Sequence, residues 1–440
     1  MKKLLLMALG CWWTASALAA IPVQFWMLDN GAKVYLMEVP GLPMVDVQLE
    51  FDAGTRRDGQ ATAGLAQATA MMMSKGVKAE GMSGALDENQ LGEAWADLGA
   101  MVSANATTDR MSLSLRSLTR PELLNAAVDL AARQLAMPAF PADIWQTERQ
   151  RWLASIEESN TKPSVVAGRA FSKAVFGDHP YGAEPSADSL GRIDTRMMAD
   201  FHARYFVPCH AKISIVGAVG RAQANELVMR LLAKLPTRSH CELLPLVAEV
   251  QPLSQAKRLD IPFESAQSHV LIGQPGISRQ NPDYLPLIVG NYVLGGGGFV
   301  SRLTEQVREK RGLSYSVYSY FAPGQHAGAF TVGLQTRPDQ AAQAVEVAQQ
   351  VVKDFVESGP SEMELQAAKN FLIGGFALRV DSNRKLMDNL TNIAWFDLPL
   401  DYLDHWTTLV ERISVSDIQQ AFARHLQPER MVTVVLGPAK

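Results

Sequence analysis

The chain has 440 residues, 47% of them hydrophobic and 20% charged, and a formal charge of −4. This is ordinary globular composition, which excludes a disordered or collagen-like chain, and the length allows two to four domains. The net acidity argues against nucleic acid and against an anionic membrane surface as partners.

The first element is a leader. Lys2 and Lys3 open the chain, and Leu4 to Trp13 is an apolar run too short to span a bilayer. Ala17-Leu18-Ala19 then fits a small-residue cleavage site. Residues 1–20 read as a secretory signal peptide, removed after Ala19 or Ala20; the alternative is an N-terminal membrane anchor. The mature protein is expected in the bacterial periplasm. Losing Lys2 and Lys3 moves the formal charge to −6. Of three cysteines, Cys209 and Cys241 remain. An oxidising compartment permits a bond between them, and the sequence leaves both that bond and two separate thiols open.

The mature chain repeats itself. Met111 to Arg116 alternates like a strand and is followed by Thr119-Arg-Pro-Glu122; Ala329 to Leu334 is followed by Thr336-Arg-Pro-Asp339. In each copy Thr is expected to cap a helix with Pro in its first turn. Leu123, Leu124, Ala127, Val128, Ala131 and Leu135 in one copy, and Ala341, Ala344, Val345, Ala348, Val351 and Val352 in the other, suit one buried helical face. A second pair closes each half. Residues 201–217 align without gaps to residues 421–437, sharing Ala, Arg, Pro and the final Gly. The helices leading into these segments have start signals at Asp194-Thr195 and at Ser414 to Asp417. The offsets, 217 and 220, nearly agree.

The expected organisation is α+β. Two homologous halves, residues 21–234 and 261–440, each form a sheet with helices packed on one side. Residues 235–260, punctuated by Pro236, Pro245 and Pro252, form the linker.

Candidate chemistry is sparse. A helical zinc site usually needs two ligands one turn apart. No two of the eight histidines are so spaced, and neither H-x-x-E-H nor H-E-x-x-H occurs. No metal ligand set is assigned to this chain, and its histidines read as packing or polar residues. Gly295 to Gly298 lacks the Gly-Lys-Ser/Thr of a phosphate loop. It reads either as a turn before a helix or as a place where backbone at Gly296, Gly297 and Gly298 approaches a bound peptide. Further on, Arg308-Glu-Lys-Arg-Gly312 is a basic helix end with a glycine C-cap, followed by Leu-Ser-Tyr315. The plain reading is a capped helix on a solvated face. The sharper one aims Arg308 and Tyr315 at a ligand carbonyl or carboxylate.

Val307-Arg-Glu-Lys-Arg-Gly-Leu-Ser-Tyr-Ser-Val-Tyr318, after Gly-Gly-Gly-Phe-Val-Ser-Arg-Leu, resembles the C-terminal-half signature of the insulinase (pitrilysin) family of zinc peptidases. Gly54-Thr-Arg-Arg-Asp58 and Gly64-Leu-Ala66 are similar to the lead into that family's zinc helix. The resemblance implies two α+β halves and an H-x-x-E-H helix. Here Gln67 and Met71 stand at the two histidine positions and Ala70 at the general-base glutamate. The family's third ligand ends a Glu-Arg-x-x-x-x-x-Glu pattern. Glu148-Arg149 matches its start, and Ser155 stands at the ligand position.

Without zinc there is no activated water and no polarised carbonyl, so this chain is expected to have no catalytic residue and no metal of its own. Arg308 and Tyr315 keep the spacing of the family's substrate-carbonyl clamp. The resemblance therefore implies the non-catalytic subunit of a heterodimeric zinc endopeptidase. Its expected partners are a peptide and a homologous subunit that carries the zinc. The rival expectation is a stand-alone peptide-binding scaffold.

Overall fold

The computed structural model describes residues 21–236 and 241–439. The leader and His240 lie outside them.

The first half builds a six-stranded sheet from β1 (Gln24–Met27), β2 (Lys33–Glu38), β3 (Met44–Phe51), β4 (Met101–Ala106), β5 (Met111–Leu118) and β6 (Lys212–Gly217). Their spatial order is β1-β2-β6-β3-β5-β4. The second half builds a five-stranded sheet from β7 (Lys257–Pro262), β8 (Ser268–Pro275), β9 (Val317–Phe321), β10 (Ala329–Thr336) and β11 (Val432–Gly437), in the order β9-β10-β8-β11-β7. Reversed, this second order is that of the first sheet without β1. In both halves the earliest strand of the shared set pairs in parallel with the last, β2 with β6 and β7 with β11. The other pairs are antiparallel. The duplication read from two short segments thus extends to the whole topology. The strand β7 starts at Lys257, inside the segment read as linker, so the ordered second half begins earlier than residue 261.

The helices that position the site are α1 (Leu65–Met72), α2 (Pro121–Ala136), α3 (Ala142–Ser159), α4 (Pro163–Phe176), α5 (Tyr284–Asn291), α6 (Ala341–Ser358), α7 (Asn383–Trp395) and α8 (Tyr402–Arg412). Both repeated helices bury the predicted stripe. In α2 Leu124, Ala127, Val128, Ala131 and Leu135 are buried and Leu123 is half-buried; in α6 Ala341, Ala344, Val345, Ala348, Val351 and Val352 are all buried. Their starts differ from expectation. The N-cap of α2 is Arg120, not Thr119, and α6 follows a short 3-10 turn, Pro338–Gln340. Thr336 instead ends β10 and donates its hydroxyl to Leu313 O at 2.5 Å. The other start signals act as read. Asp194 accepts from Met197 N, and Ser414 forms a capping box with Asp417.

Each half packs its own helices on one face of its sheet, giving two separate cores. The opposite face is covered by a helix from the other half. Ala167, Phe171 and Val175 of α4 lie on Val432, Val434 and Leu436 of the second sheet. Leu386, Met387, Leu390 and Ala394 of α7 lie on Tyr35, Met37 and Val216 of the first. Neither helix can leave its place without exposing apolar surface on both halves.

Polar contacts close the junction. Asp109, in the turn between β4 and β5, pairs with Arg56 at 3.2 Å. It also accepts from Tyr181 Oη at 2.6 Å and from the backbone N–H of Gln325 at 2.9 Å. Lys212 donates to the carbonyls of Ala394 and Trp395 at the end of α7, at 2.8 and 2.9 Å. This satisfies carbonyls that a helix end leaves orphaned. Beside it, fully buried Glu50 pairs with Arg110 at 2.8 Å, and Arg110 lies over the Trp395 ring. Cys209 and Cys241 form a disulfide, which ties the start of the linker to the turn before β6.

Candidate functional site

The helix read as the counterpart of the family's zinc helix is α1, and its start is well held. Gly64 precedes it with φ of 103°, and the Asp58 carboxylate accepts from the N–H groups of Gly64 and Ala66, both at 2.9 Å. A carboxylate at a helix N-terminus meets the positive end of the dipole. Burial nevertheless dominates and pushes the Asp58 carboxyl up to about 7.

The side chains on this frame are not zinc donors. Gln67 is half-buried, and its Oε1 is shielded from solvent without a hydrogen-bond partner among the described residues. One turn on, Ala70 is buried and Met71 half-buried. Ser155 is exposed on the separate helix α3. An amide, a methyl, a thioether and a hydroxyl do not make the imidazole and carboxylate set that zinc requires in this fold. Glu148, which begins the Glu-Arg pattern, is engaged elsewhere, with Lys75 at 3.0 Å and Arg151 at 2.9 Å. Among the described residues, one cluster of three donor side chains comes within 4.8 Å, Cys209, His210 and Cys241. Its two cysteines are joined to each other.

The second half carries the ordered element. The helix α5 widens into a π-turn over Tyr292–Gly296, and a second π-turn covers Thr304–Glu309. Such bulges recur at functional sites. The glycine run between them is mostly a packing requirement. A Cβ on Gly295 would lie 2.4 Å from Ser319 Oγ, one on Gly296 2.8 Å from Asn291 Nδ2, and one on Gly297 2.6 Å from Tyr292 O. Only Gly298 faces open space, with φ of 60°. Gly296 and Gly297 therefore have a reason to be glycine that involves no peptide.

Gly312 ends the helical segment with φ of 63°. Its N–H bonds Arg308 O at 2.8 Å, and that of Leu313 bonds Val307 O at 2.9 Å. These bonds close the π-turn one residue wider than a Schellman motif, with Val307 and Leu313 both buried. It reverses the chain and brings Tyr315 back over Arg308. The guanidinium carbon lies 4.8 Å from the Tyr315 ring centre and 4.7 Å from that of Phe299. Phe299 is 67% exposed and Tyr315 81%. Among the described residues the half-buried Arg308 makes no ion pair. Phe299 was not singled out in the sequence. Its signal was an aromatic residue directly after four glycines.

Residues 33–187 match the family described as insulinase, peptidase family M16, and residues 192–372 match the M16 inactive domain. The solved structure of a peptidase M16 inactive domain from Pseudomonas fluorescens is 33% identical. It superposes with a TM-score of 0.88 over 95% of this chain and 98% of that one. The periplasmic protease PqqL of Escherichia coli shares the fold, with a TM-score of 0.79 at 17% identity, over 96% of this chain and 46% of that one. An uncharacterized zinc protease of Mycobacterium tuberculosis is 26% identical over 96% of this chain and 95% of its own length. A non-peptidase homolog, YmxG of Helicobacter pylori, is 25% identical over 93% of each chain. The chain belongs to the insulinase (M16) family and is a peptidase-derived homologue of its inactive type. Among the described residues no helix is long and apolar enough to cross a membrane.

Proposed function

We propose that this chain is the non-catalytic subunit of a periplasmic heterodimeric zinc endopeptidase. The observation that carries the reading is the asymmetry between the halves. The zinc positions Gln67, Ala70, Met71 and Ser155 hold no zinc donor set, while Arg308 and Tyr315 stand together on an exposed face. A guanidinium stacked between two rings loses little freedom when its edge donates to an acceptor. Placed over a partner's active site, Arg308 and the Tyr315 hydroxyl would donate to the peptide carbonyl whose oxygen gains charge during attack, and such a donor is worth roughly 3 kcal/mol. Gly298, open beside Phe299, would let the peptide backbone approach. The zinc and the general base belong to the partner subunit.

Mixing the purified mature chain with an H-x-x-E-H homologue from the same organism tests this. Peptide hydrolysis should rise well above that of the homologue alone. Unchanged hydrolysis, with peptide still bound by the isolated chain, would instead support the stand-alone scaffold.

A further inference from the structure

A second site shares no lining residue with the Arg308, Tyr315 and Phe299 cluster. A cavity of about 360 Å³ opens in the second half, between the end of α7, the start of α8 and the loop that follows β8. Its lining includes Arg279, Arg379, Asn389, Asn392 and Tyr402, with aromatic and aliphatic side chains between them and no acidic residue. Four other clefts in the molecule each carry at least two acidic side chains. In a chain of formal charge −4, this cavity carries two arginines and no carboxylate.

Neither arginine is neutralised nearby. Among the described residues neither makes an ion pair, and the adjacent acids are taken. Asp283 is held by Arg424 and His425, Asp381 by Lys385, and Asp401 by His405. Both guanidinium groups rest on aromatic rings instead. Arg279 lies 3.7 Å from the Tyr284 ring centre and donates to Tyr402 Oη at 3.1 Å. Arg379 lies 4.9 Å from that of Trp406. Asn389 pins the turn that carries Arg379, donating to Arg379 O at 2.9 Å. A stacked guanidinium keeps its in-plane N–H groups for an acceptor. With Tyr402 Oη accepting from Arg279, the tyrosine's own proton is also free to donate.

We infer that this cavity binds a small organic anion, a carboxylate or phosphate carried on a flat apolar body. The oxyanion would meet Arg279, Arg379 and the Tyr402 hydroxyl, and the apolar body would meet the ring walls. The volume suits a molecule of about a dozen non-hydrogen atoms, taking the space of one water per atom. The inference does not depend on the proposed peptidase role, because the site shares no lining residue with the Arg308 cluster.

Binding of benzoate and of phenyl phosphate to the full mature chain tests it, by ligand-observed NMR and calorimetry, with benzamide and benzylamine as uncharged and cationic controls. Benzoate or phenyl phosphate should bind at least about tenfold more tightly than benzamide. Whichever of the two is tighter identifies the head group. Arg379→Gln, at an exposed position, and Arg279→Gln should each weaken that binding by about tenfold, while Arg196→Gln on a distant surface should not. Equal binding of benzamide, binding indifferent to Arg379→Gln, or no binding by either anion would overturn the inference.

Discussion

The Arg308 guanidinium lies over the Tyr315 ring, 4.8 Å from its centre, because Gly312 turns the chain back through a positive φ. Arg308→Ala and Tyr315→Phe should each lower turnover of the mixed subunits by about a hundredfold, as loss of an oxyanion donor does. Association by size-exclusion chromatography should stay intact. Phe299→Ala should lower turnover less and should spare association, since it only loosens one face of the stack.

Chelation separates the two subunits' roles. Treatment with EDTA should abolish hydrolysis by the mixture. It should leave the thermal midpoint of this chain alone unchanged, within about 1 °C, because a ligand stabilises only the fold that binds it. A fall in that midpoint would reveal a metal site in this chain.

The junction between the halves should be costly to break. Asp109 serves Arg56, Tyr181 and the Gln325 backbone from one nearly buried carboxylate. Asp109→Ala leaves the Tyr181 hydroxyl and the Gln325 N–H unmatched, while Arg56 keeps Asp52 at 2.6 Å, and should cost about 3 kcal/mol in urea denaturation. Small-angle scattering should detect any widening of the angle between the halves.

Glu50 gives the junction a pH dependence. Burial raises its carboxyl to about 7 against Arg110, Gln48 and Lys212, which pull it down. Between pH 4.5 and about 7 the unfolded chain has lost this proton and the folded chain retains it. Its contribution is therefore present at low pH and lost as pH rises through about 7. Glu50→Gln cannot titrate. Its stability relative to the wild type should rise by about 3 kcal/mol from pH 4.5 to pH 8 in denaturant titrations.

Reduction should loosen the linker. The Cys209–Cys241 bond spans 32 residues, so the double serine variant should lose about 4 kcal/mol. The same loss should appear when the wild type is denatured in dithiothreitol.

The sequence alone determined the duplication, the α+β class, and the absence of an H-x-x-E-H motif. These are local or periodic features. Strand alternation, a helical stripe or a missing histidine can be read wherever it stands. It also paired Arg308 with Tyr315, because only seven residues and one glycine turn separate them. Tertiary structure decided what covers each apolar face. Nothing in the stripe of α4 or α7 says that it lies on the other half's sheet, since amphipathic patterning specifies burial and not the partner. The same holds for the disulfide and for the Asp109 junction. Arg279 and Arg379 are 100 residues apart in the chain, and only the packing of α7 and α8 brings them to one cavity. The glycine run shows both limits. Its sequence allowed a peptide contact, while the fold shows that three of its four members are small because Ser319, Asn291 and Tyr292 leave no room for a Cβ.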